Sequence, residues 1–278
     1  MARTLLGRQL TEEHKHAQIR LVTRFYAGSQ LLLGELDPHR VNDKAAFTQL
    51  AELAKQARRR LQQLLPLLDW VGLEVGLTER FHTDSVRLAR TYLTEFRSLE
   101  TSPSEAADMP LVTPTFDALG VARKAALIAP MAKARTQQGA AAADAVDKAF
   151  WELVAGWGRI GVQAGGRNLI DESTLANPRS RGWRRVSDGN PCAWCAMLVS
   201  RGPAYRTAQT AGQGRRYHDR CGCTAEVVFG AWTPTATEQR YVDLYEASHR
   251  PGMTDAEAAA AMREQGQGVI NDAHVPVT

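Results

Sequence analysis

Cys192-Ala-Trp-Cys195 and, after 22 intervening residues, His218-Asp-Arg-Cys221-Gly-Cys223 hold all four cysteines of a 278-residue chain within 32 positions. Two thiolates separated by two residues reach one ion when the backbone turns between them, and a Zn–S distance of about 2.3 Å fixes that bite. His218 and Cys221 repeat the two-residue separation, with Cys223 beside them. Cys192, Cys195, His218, Cys221 and Cys223 are therefore the candidate ligands of one structural zinc ion, Zn2+. Four ligands complete a tetrahedron, so one of the five is spare or supports the others from outside.

Other chemistries use the same residue types. Disulfides suit an oxidising compartment, and the first 30 residues place Glu12, Glu13, His14 and Lys15 where an export signal needs apolar residues, so a cytoplasmic chain is expected. A thioredoxin-like CxxC needs a βαβ setting, which the surrounding sequence lacks. A nucleophilic cysteine with His218 as base stays open, although no one cysteine stands out. A catalytic zinc keeps an open position and favours histidine or carboxylate ligands, so a thiolate-rich set argues for a closed, structural site. The deaminase order is missing too, because no HxE precedes Pro191-Cys192.

Charge concentrates around the same stretch. Residues 179–220 contain nine arginines against Asp188 and Asp219, a local charge of +7 in a chain of formal charge +4. Such a block in an otherwise slightly acidic protein predicts an anionic partner. Arg181, Arg184, Arg185, Arg215 and Arg216 are the candidate phosphate contacts, to double-stranded DNA without sequence preference. Trp183 and Trp194 suit filling a small core better than stacking on bases.

Upstream the pattern is helical. One helix is expected from a Thr11 cap to about Leu33, and a second from near Asn42 until Pro66 kinks or ends it, with Arg58, Arg59 and Arg60 on its solvated side. A third is expected over Thr78–Leu99, where His82 and Ser85 read as surface residues. Residues 101–115 read as a loop, Asp117–Arg135 as a helix, and Ala140 to about Val162 as another with Val146, Phe150, Leu153 and Val154 buried. Gly165 and Gly166 then read as its stop. Trp183–Val186 and Thr224–Phe229 are β-like, and Thr235/Glu238 and Thr254/Glu257 have capping-box spacing ahead of further helices and a loose tail. With 44% hydrophobic and 23% charged residues the composition is that of a globular protein, and no stretch suits a membrane span.

The string Asp188-Gly-Asn-Pro-Cys192-Ala-Trp-Cys195, a glycine turn at Gly202, an aromatic at Tyr205, then His218-x-x-Cys221-x-Cys223 and a closing β-run resembles the Mu F-like minor head proteins of tailed bacteriophages. Members typically end in D-x-x-x-C-x-x-C…G…H-P-x-C-R-C behind a helical segment. The match covers residues 186–230 and departs at Asp219, where the family has proline, and Gly222, where it has arginine. The resemblance implies a minor capsid protein inside the virion head near the portal vertex, in the host cytoplasm during assembly, with portal or capsid protein and DNA as partners. It implies a role in head assembly and DNA packaging or ejection, and no membrane or small-molecule substrate. A capsid maturation protease and a zinc-containing DNA-binding protein are the competing readings, and no GxSxG elbow supports the former. The expected fold class is α+β, a mainly helical N-terminal region with a small zinc-stapled α+β C-terminal module. In order, the expected divisions are a helical region at 1–110, a helical segment at 111–178, the Cys/His module at 179–232, and helices and tail at 233–278.

Overall fold

A computed structural model of the chain describes residues 4–33, 57–102, 110–207, 209–210, 217–218 and 221–271. Helix α1 (Leu5–Leu33) is followed by α2 (Ala57–Glu100), α3 (Ala118–Ala125), α4 (Ile128–Gln137) and α5 (Ala142–Leu153). A π-helical turn, Val154–Gly158, leads into α6 (Arg159–Ala176). Strand β1 (Trp183–Val186), α7 (Ala193–Ser200), β2 (Thr224–Val227), α8 (Ala236–Ser248) and α9 (Asp255–Gln265) complete the order. A mostly helical chain with a small two-stranded sheet is what was expected of the fold class.

The compact units are not the consecutive segments that the sequence suggested. One comprises Met1–Arg20, Asp84–Thr115 and Gln163–Thr278, the other Leu21–Thr83 and Phe116–Val162. Each is therefore assembled from distant stretches, and the cysteine module is one part of the first unit.

In the second unit Asp117 caps α3, its carboxylate accepting from Gly120 N at 2.8 Å. The expected single helix over Asp117–Arg135 breaks between Ala125 and Ile128. Helix α5 buries Ala145, Val146, Ala149, Phe150 and Leu153, the i, i+1, i+4, i+5, i+8 stripe of an amphipathic helix, and packs on α4. Arg135 and Glu152 form an ion pair between these two helices. The π-helical turn carries Gly158, where a Cβ would lie 2.6 Å from the Phe25 ring, so glycine lets that ring seat. Phe25 in turn meets Phe81 edge-on at 5.8 Å. His82 is buried, its Nδ1 at 3.0 Å from the Gly161 carbonyl, instead of standing on a surface.

The first unit has two apolar clusters. Ala89, Tyr92, Leu93 and Phe96 of α2 meet Leu169 and Ile170 of α6 and Trp183, Tyr205, Ala225 and Val227 around the sheet. Helix α7, apolar on every side, is buried against Tyr241 of α8 and Ala258, Ala259 and Met262 of α9. Strands β1 and β2 pair antiparallel with Trp183 opposite Val227 and Arg185 opposite Ala225. Both expected capping boxes form, Thr235 with Glu238 and Thr254 with Glu257.

Several local expectations give way to packing. Thr11 caps nothing: it sits inside α1, buried, bonded to the Gly7 carbonyl and donating to Glu226 at 2.5 Å. Pro66 does not end a helix, since α2 runs unbroken from Ala57 to Glu100 and absorbs the expected third helix. Gly165 and Gly166 lie within α6. Gly166 serves close approach, because a Cβ there would come within 2.7 Å of Gln18 Nε2 and 2.9 Å of Ser85 Oγ. Ser85 is buried, accepting from Gly166 N and donating to Gln18. The start of the expected second helix near Asn42 lies outside the described residues. The expected loose tail is partly tied down, with Asn271 N donating to the Pro191 carbonyl at 3.0 Å.

Candidate metal centre

Cys192 is the N-cap of α7, its Sγ accepting from Cys195 N at 3.4 Å, so both sulfurs of the CxxC face the helix N-terminus. The positive end of the helix dipole favours thiolates there. His218 brings Nε2 to 3.0 Å from Cys192 Sγ and 3.2 Å from Cys195 Sγ. The turn from His218 to Cys221 closes with Cys221 N donating to the His218 carbonyl, and Cys221 Sγ stands 3.5 Å from Cys195 Sγ. Two donor triads result, Cys192–Cys195–His218 and Cys195–Cys221–Cys223, each with its ligand atoms within 4.8 Å of one another. Cys195 belongs to both. All four cysteines are free thiols and buried, and His218 is half-buried.

The candidate ligand atoms hydrogen-bond to one another. Hydrogen bonding to Cys195, with His218 adding to it, draws the Cys192 thiol down to about 5 against the opposing effect of burial. Cys221 is likewise held low by Cys195 and Cys223, while Cys195 is pushed up by donating to its neighbours. Soft sulfur and imidazole donors at 3.0–3.5 Å approach the edge of a tetrahedral Zn–S site, about 3.8 Å for a 2.3 Å bond. The donor set therefore fits a closed tetrahedral Zn2+.

Two arginines and a tyrosine surround the cluster. Arg185 Nη1 lies 3.9 Å from Cys195 Sγ and 3.8 Å from Cys221 Sγ. Arg167 donates from Nε to the Cys223 carbonyl at 2.8 Å and from Nη2 to the Cys221 carbonyl at 2.7 Å. Both guanidiniums lie 3.9 Å from the Tyr217 ring centroid.

The family model described as VG15 protein matches residues 40–249, which include every candidate ligand. This chain belongs to the VG15 protein family. A relative is the "Gene 15 protein" of Mycobacterium phage D29, 27% identical over 169 residues, which cover 49% of this chain and 62% of that protein. The VG15 chain thus aligns with less than two thirds of that relative's length, and its family is a bacteriophage one. No solved structure matches it.

In this VG15 chain the arginine block divides. Arg184 and Arg185 are fully buried, which corrects their reading as phosphate contacts. Arg184 Nε donates to Glu226 at 2.7 Å and Nη1 pairs with Glu238, so its charge is spent inside the unit. Arg181 is exposed, and Arg215 and Arg216 lie outside the described residues. Trp183 is buried core, and Trp194 packs half-buried against the cysteines. Reading the sequence missed Arg167, Tyr217, Glu226 and Glu238. The one available signal was Arg167 following Gly165-Gly166, where two small residues allow a helix to approach its neighbours closely. Among the described residues no helix is long and apolar enough to cross a membrane.

Proposed function

We propose that this chain is a minor structural protein of a tailed-phage head, related to the Mu F-like proteins, and stapled by one structural zinc ion. The observation carrying the reading is the convergence of Cys192, Cys195 and His218 on one point in a phage-family chain whose spacing matches that head-protein motif. Zinc, when bound, supplies crosslinking and no chemistry. Cys195 anchors it from both triads, with His218, Cys221 and either Cys192 or Cys223 completing four ligands. The partners are the portal or capsid protein and, through Arg181, Arg215 and Arg216, duplex DNA of any sequence.

A second reading, a capsid maturation protease, draws on the Cys192–His218 contact of 3.0 Å and the lowered Cys192 thiol. Against it, Cys195 Sγ meets the same imidazole nitrogen at 3.2 Å. A base serves one thiol, whereas a metal gathers several donors around one point. The deciding experiment is mass spectrometry of purified virions and empty proheads from phage carrying the wild-type chain or His218→Ala. Presence of this chain in wild-type particles, with the capsid protein in the same form in both phages, is expected. Absence from virions and proheads alike defeats the head-protein reading. A stably folded His218→Ala chain that leaves capsid protein uncleaved establishes the protease.

A further inference from the structure

We propose that Arg185 is the outer cation of the metal centre, positioned by Tyr217 and Arg167, and that it sets how firmly the thiolates hold the ion. The inference rests on the structural-zinc reading and deepens it. Successive residues of a strand point to opposite faces, so Arg184 and Arg185 serve different clusters although both are fully buried. Arg184 takes Glu226 and Glu238. Arg185 directs Nη1 between Cys195 and Cys221, at 3.9 and 3.8 Å.

Charge explains why a buried guanidinium stands there. Zn2+ with three thiolates and an imidazole carries −1, and with four thiolates −2. The cysteines are 1–2% exposed, so water cannot balance that charge. Arg185 supplies a positive charge and N–H donors to two of the sulfurs, which lowers their electron density and blunts their attack on electrophiles. Arg185 is itself held, because its guanidinium and that of Arg167 both lie 3.9 Å from the centroid of the Tyr217 ring. Arg167 extends the clamp to the backbone by binding the carbonyls of Cys221 and Cys223. Tyr217 also directly precedes His218, so one clamped ring places the imidazole as well. Its hydroxyl is buried and meets no hydrogen-bond partner among the described residues, so the ring and not the O–H carries the role.

The test uses the full chain loaded with zinc or cobalt. Zinc affinity is measured by chelator competition, ligand geometry by the cobalt–thiolate absorption bands, and thiolate reactivity by the rate of iodoacetamide alkylation. Arg185→Met should weaken zinc binding about 10- to 100-fold, shift the cobalt bands and speed alkylation. Arg185→Lys, which keeps the charge but loses the planar fork, should fold and speed alkylation roughly three- to tenfold. Tyr217→Phe should match wild type, and Tyr217→Leu should resemble Arg185→Met. A wild-type chain that binds neither metal overturns the zinc reading and this inference with it. A wild-type chain that binds both, with Arg185→Lys and Tyr217→Leu unchanged in cobalt bands and alkylation rate, overturns only the role of Arg185.

Discussion

The unit formed by Leu21–Thr83 and Phe116–Val162 buries Phe25, Phe81, Val146, Phe150 and Leu153, and among its described residues the buried ionisable side chains are Glu74 and His82. The unit holding the cysteines also buries Arg167, Arg184, Arg185, Glu226, Glu238 and four thiols. Apolar helix packing is tolerant, since any well-fitting hydrophobic residue serves. A buried charge cluster is not, because removing one member strands the others without water. The comparison teaches that the cysteine-bearing unit depends on a few specific residues, while the apolar unit depends on its pattern as a whole.

The largest expected effect comes from Cys195, the ligand that both triads share. Cys195→Ala, or chelation of the wild-type protein, should destabilise the cysteine-bearing unit by more than about 4 kcal/mol. Hydrogen exchange should report lost protection over residues 4–20, 84–100 and 163–229, with 118–153 still protected. The reach into α1 is specific to this fold, since Thr11 donates to Glu226 and His14 stacks on Tyr92 at 4.3 Å. Exchange confined to 183–229 would mean that the module stands alone after all.

Acidity should move the two units in opposite directions. Burial raises the Glu74 carboxyl from 4.5 to about 7, although Ser29 donates to it at 2.9 Å. Folding then favours the protonated acid, so this stabilisation is complete below pH 4.5 and is lost as pH rises through 7. Its size is on the order of 3 kcal/mol. Burial lowers His14 in the other unit from 6.5 to about 3. Neutral histidine is favoured there, so stability is present above pH 6.5 and lost as pH falls towards 3. Glu74→Gln should flatten the pH dependence of exchange in residues 70–83 between pH 5 and 7.5. His14→Phe, which keeps a ring against Tyr92, should flatten that of residues 8–18 between pH 6.5 and 4. Identical slopes in wild type and variants would show that other groups govern both.

The smallest effect expected is local. Thr235→Ala removes one half of the capping box that starts α8 and should cost about 1 kcal/mol, read from the thermal midpoint. Because α8 also supplies Glu238 to Arg184, a loss several times larger would show that the cap positions that ion pair.

Much of the helical architecture was legible because burial repeats at helical spacing, as in Val146, Phe150, Leu153 and Val154. Capping boxes were legible because they are written in four consecutive residues. Helix ends fared worse. Pro66, Gly165 and Gly166 carry the local marks of termini, yet the helices run through them, Gly166 packed closely against Gln18 and Ser85. Thr11 looked like a cap for the same reason, its true partner being 215 positions away.

The sequence by itself determined which residues offer metal donors, since sulfur and imidazole at fixed short spacings need no knowledge of the rest of the chain. It also determined the strands that flank them and the capped helices that follow. Only the tertiary structure decided which arginines meet solvent. Nine arginines in 42 residues look alike in a string. Long-range pairing, Arg184 to Glu226 and Glu238 and Arg185 to the thiolates, withdraws two of them from any outside partner. A charge's fate depends on what the fold packs against it, and those partners lie up to 54 residues away along the chain.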